Sequence, residues 1–139
     1  MEDAERLISK YPGTSPGLVF QQGALAFRKG DYPLAQSLFR EAARRASEKT
    51  AESALFNENL AALNANDAAG AAALVKEAAG SAQLREHILF EQAHYAAKRM
   101  NPQAPELLAS FVALATDPAL KTQARLDQAE VCLLYTSPS

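Results

Sequence analysis

The stretch Gly23-Ala-Leu-Ala-Phe-Arg-Lys-Gly-Asp-Tyr-Pro-Leu-Ala-Gln-Ser-Leu-Phe-Arg-Glu-Ala42 decides the fold. It predicts two helices joined by a tight turn at Gly30-Asp31. Gly23 is small where the two helices must touch, and Ala35 is small on the facing helix. Phe39 and Ala42 follow Ala35 at i+4 and i+7, so all three share one helical face.

The pattern recurs along the chain. A shift of 36 residues carries Phe20 onto Phe56, Ala26 onto Ala62, Phe27 onto Leu63 and Asp31 onto Asp67. It also carries Ala35 onto Ala71, Phe39 onto Val75 and Ala42 onto Ala78. A shift of 34 then takes Leu55-Phe56 to Leu89-Phe90 and Ala62 to Ala96, and a further 36 takes Phe90-Glu-Gln-Ala93 to Leu126-Asp-Gln-Ala129. A period of 34 to 36 residues is that of stacked helical hairpins. The fold expected is all-α: an α-solenoid of antiparallel helix hairpins, cut short at both ends.

Helices are expected over about 16–29, 31–47, 49–65, 67–79, 82–100 and 103–115, with a last one from about 118. Ser15, Asp67, Ser81 and Asp117 supply N-terminal caps, and Pro16 and Pro118 sit where a helix begins. In the third hairpin Asn101-Pro102 replaces Gly-Asp, and about two residues are inserted at that turn. The final helix lacks a partner within the chain, so part of its apolar face is expected to be exposed.

The small residue at Gly23, the Gly30-Asp31-Tyr32 turn, then Ala35, Phe39 and Ala42, resemble a tetratricopeptide repeat. Leu7-Ile-Ser-Lys-Tyr-Pro-Gly-Thr14 is similar to the linker between repeats in bacterial envelope proteins of that family, namely the outer-membrane assembly lipoproteins and the Tol–Pal-associated periplasmic proteins. The resemblance implies a right-handed superhelix. It divides residues 1–131 into the end of a preceding repeat (2–14), repeats at 15–48, 49–80 and 81–116, and the start of a fourth at 117–131. Gly23, Ala35, Phe39, Ala42, Ala62, Ala71, Val75, Ala78 and Ala93 take the repeat-packing places. The last eight residues, Cys132–Ser139, match one reading frame of a transposase sequencing adapter at every position, and are expected to be a non-native tail.

Composition agrees with this architecture. The chain has 139 residues, 48% of them hydrophobic and 22% charged, with a net charge of -2. That balance does not point to nucleic acid or an anionic membrane as partner. Alanine, the best helix former, dominates the apolar set. No apolar run is long enough to insert in a membrane. With Cys132 in the tail, thiols say nothing about compartment. The resemblance points to the periplasm or cell envelope, with the cytoplasm an alternative.

No catalytic motif is apparent, and the chain is expected not to be an enzyme and to need no cofactor. His87, Glu91 and His94 share a helical face, and Glu91-x-x-His94 has the spacing used in di-iron bundles. A di-iron site needs a second such motif, and the sequence has only two histidines, so no metal is expected.

The function expected is a protein–protein interaction scaffold, part of a larger bacterial protein, holding a peptide or protein segment in a concave groove. The alternative is a helper or spacer domain of an enzyme or envelope-assembly factor. By the resemblance, first-helix positions line the groove: Phe20, Phe27 and Arg28, then Phe56 and Leu63, then His87, Phe90, His94 and Lys98. A second reading of Phe20, Phe56 and Phe90 stands beside this one: the rings fill the core between hairpins.

Overall fold

The computed structural model describes residues 15–136. Every regular element among them is helical: α1 (Pro16–Arg28), α2 (Tyr32–Arg45), α3 (Glu48–Asn64), α4 (Ala68–Glu77), α5 (Ala82–Lys98), α6 (Ala104–Leu114) and α7 (Pro118–Thr136). A 3-10 turn, Ala78–Gly80, closes α4. The all-α expectation therefore holds, with helix ends displaced by at most a few residues. The segment 2–14, expected to end a preceding repeat, lies outside the described residues, as do the last three residues. α7 runs unbroken from native-like sequence into the suspected tail as far as Thr136.

Polar side chains start most of the helices. Ser15 Oγ accepts from the Leu18 N–H, and the Asp31 carboxylate from that of Leu34. Asp67 accepts from Gly70 N–H, Ser81 from Leu84 N–H, and Asp117 from the N–H groups of Ala119 and Leu120. Each satisfies donors that the first helical turn cannot.

The hairpin turns repeat one backbone motif. Gly30, Asn66 and Met100 all adopt left-handed φ, at 83°, 60° and 55°. In each case the next residue's N–H reaches the carbonyl five back: Asp31 to Ala26, Asp67 to Ala62 and Asn101 to Ala96, all at 2.9 Å. The left-handed residue itself donates to the carbonyl three back. This is the Schellman helix ending. The three positions are spaced by 36 and 34 residues, so the sequence period is also a period of the backbone. After Gly30 and Asn66 the following helix starts two residues on, whereas after Met100 it starts at Ala104, which is the expected insertion. Asn101 fills it by accepting the Gln103 N–H on its side chain.

The chain divides into two compact units at Gly80/Ser81. In the first unit α1 packs on α2, α2 on α3, and α3 on α4. Its core holds Val19, Ala26, Ala35, Leu38, Phe39, Ala42, Ala54 and Ala61. Gly23 is required there: a Cβ at that position would sit 2.9 Å from Phe39 Cε1. In the second unit α6 packs on α5, and α7 on both. Phe90, Ala93, Ala104, Leu108, Phe111, Ala124 and Val131 form its core. Of the remaining repeat-packing places, Ala62, Ala71 and Ala78 are also buried, while Val75 stays partly open. Leu126 and Leu133 of α7 are 58% and 73% exposed, so that helix does present an open apolar face.

Candidate functional site

In the first unit, a cleft of about 480 Å³ lies between α1 and α3. Gly17, Phe20 and Gln21 line one side, and Lys49, Thr50 and Ser53 the other. Its origin is local. Gly17 carries no side chain, and no described atom lies within 4 Å of where one would begin. Phe20 forms the apolar wall, held edge-on to the buried Phe39 ring at 5.3 Å between centroids. Lys49, Thr50 and Ser53 fall within about 100° of one another around α3, and Glu48 and Glu52 of the same turns are not among the lining residues. Lys49 makes no ion pair among the described residues.

The other positions expected in a groove are placed variously. Phe27 is partly buried and meets Tyr32 edge-on at 5.1 Å, and Arg28 is exposed. Phe56 and Leu63 are partly buried and do not line the cleft. In the second unit Phe90 is 6% exposed, edge-on to Phe111 at 5.6 Å. Its ring therefore serves the core of that unit rather than an open surface. His87 is partly buried. Lys98 is exposed, with Glu130 at 3.7 Å, a contact of little energetic weight.

His94 belongs to a polar cluster between α5 and α7. Its ring stacks on Phe90 at 5.3 Å, and its Nδ1 is 2.6 Å from Oδ2 of Asp127. The other oxygen of Asp127 accepts from Gln123 Nε2 at 3.1 Å. Asp127 is 2% exposed, and its two oxygens are met by one side chain from α5 and one from α7. Nearby, burial pushes the Glu91 carboxyl upward, with His94 and His87 opposing and Asp127 reinforcing the rise. At the head of α7, Glu86 accepts from the N–H groups of Thr116 and Asp117 and from the Thr116 hydroxyl, and these bonds hold its carboxyl below the ordinary range. The cluster ties α5 to α7. No group of three or more His, Cys, Asp or Glu side chains that could hold a metal ion gathers among the described residues.

A second buried carboxylate lies in the first unit. Glu58 on α3 has a side chain 1% exposed, and Arg40 Nε on α2 donates to its Oε2 at 3.0 Å. Arg40 also approaches Glu77 of α4 at 3.6 Å, so one guanidinium links three helices. The other oxygen of Glu58 has no hydrogen-bond partner among the described residues. Burial, only partly offset by Arg40, pushes this carboxyl from 4.5 to about 7. Asp67 is held low instead, by the Gln36 amide at 2.8 Å and the Gly70 N–H.

Glu58 and Asp127 were not legible as buried residues. A signal existed for each: Glu58 lies in Phe56-Asn-Glu-Asn59, more polar than the matching Phe20-Gln-Gln-Gly23, Phe90-Glu-Gln-Ala93 and Leu126-Asp-Gln-Ala129, and Asp127 takes the repeat position of Glu91.

Comparison of the chain with protein-family models, with curated proteins and with solved structures finds no match. No described helix is long and apolar enough to cross a membrane.

Proposed function

We propose that the chain is a non-catalytic scaffold of tetratricopeptide-like hairpins, stacked as a right-handed solenoid, that binds an extended peptide segment on its first-helix face. The observation that carries this reading is the α1–α3 cleft, which sits between two successive first helices with Phe20 as its wall. The recurring left-handed turn at Gly30, Asn66 and Met100 supports the repeat assignment. Preformed helices lose little conformational freedom on binding, so an apolar anchor against Phe20 could drive association while polar rim groups select the sequence.

A display library of random peptides panned against the full chain tests this. Enrichment of a sequence motif whose binding is lost on Phe20→Ser, but kept on Arg28→Gln, is the expected result. No enriched motif, or motifs indifferent to Phe20, would overturn the reading.

A further inference from the structure

The α1–α3 cleft has a chemical asymmetry that narrows its occupant. Among the described residues its one charged lining residue is Lys49, which is exposed and makes no ion pair among them. The remaining polar lining groups, Gln21, Thr50 and Ser53, are neutral and can donate hydrogen bonds. Glu48 and Glu52, the carboxylates closest in sequence, are not among the lining residues, although Glu52 follows Lys49 at i+3, and α1 contributes no charged group to the lining among the described residues. The apolar part of the lining is Phe20, with Gly17 leaving open space beside it.

Resting on the scaffold reading above, we infer that the segment bound in this cleft carries a single side-chain carboxylate next to a bulky apolar residue, the carboxylate facing Lys49 and the apolar group packing on Phe20. One cation matches one negative charge. An exposed pair of this kind changes affinity by up to about fivefold and is screened by salt.

Three acetylated and amidated peptides, Ala-Asp-Phe-Ala, Ala-Asn-Phe-Ala and Ala-Lys-Phe-Ala, test this by NMR titration of the full chain. The aspartate peptide is expected to bind about threefold to fivefold more tightly than the lysine peptide, and the difference should vanish at about 1 M salt. Lys49→Glu, at an exposed position, should reverse the order without altering the fold. Phe20→Leu should weaken all three peptides alike. Equal affinities for the three, or an order unchanged by Lys49→Glu, overturn the inference while leaving a charge-indifferent scaffold standing. Absence of binding by all three removes the inference and the cleft as a peptide site together.

Discussion

The buried Glu58 makes stability depend on pH in a direction opposite to that of most carboxylates. Its carboxyl moves from 4.5 when exposed to about 7 in the folded chain. A group raised on folding holds its proton more tightly in the native state. The native state is thus favoured most below pH 4.5, loses stability as pH rises, and carries the full cost of the buried charge above about 7. At about 1.4 kcal/mol per pH unit, that cost is about 3 kcal/mol. With only 1% of the side chain exposed, solvent screening does not reduce it appreciably. Glu58→Gln keeps the shape and an acceptor for Arg40 but cannot ionise. The stability of the variant relative to wild type should therefore rise by about 3 kcal/mol between about pH 4.5 and pH 8. Urea titrations of both proteins across that range, followed by helical ellipticity, measure the gap by linear extrapolation. Subtracting one curve from the other removes the contributions of Asp67 and Glu86, which both proteins share. A gap that stays flat would refute the reasoning. A gap that closes as pH rises would show instead that the Arg40 pair outweighs desolvation.

Gly23→Ala should destabilise by about 1–2 kcal/mol: overpacking against the buried Phe39 ring exceeds the gain of under about 1 kcal/mol in helix propensity. The loss should shrink in a Phe39→Leu background, as a double-mutant cycle in urea would reveal, and an equal loss in both backgrounds counts against the close contact. Met100→Gly should raise stability by about 1 kcal/mol, since only glycine adopts φ 55° without steric cost, and a lower thermal midpoint would contradict this. Asp67→Ala removes the cap of α4 and the acceptor for Gln36, and should cost about 1–2 kcal/mol by the same titration; an unchanged midpoint would mean that the cap is dispensable.

The sequence by itself determined the helices, their order, and the places where they turn, because these depend on local chemistry. Alanine-rich runs form helices, Ser15, Asp67, Ser81 and Asp117 start them, and the left-handed turns fall at a spacing already visible in the repeats. Close packing at Gly23 and Ala35 was legible for the same reason, since small residues at a helical spacing have few other uses. What only the tertiary structure decided is which side chains lose water. Phe20 and Phe90 occupy the same repeat position and each meets a second ring edge-on, yet Phe20 borders an open cleft while Phe90 is buried. Glu58 and Asp127 read as ordinary surface carboxylates until neighbouring helices cover them and bring Arg40 and His94 within bonding distance. Burial is set by what a distant segment places opposite a residue, and a periodic pattern along one helix does not contain that information.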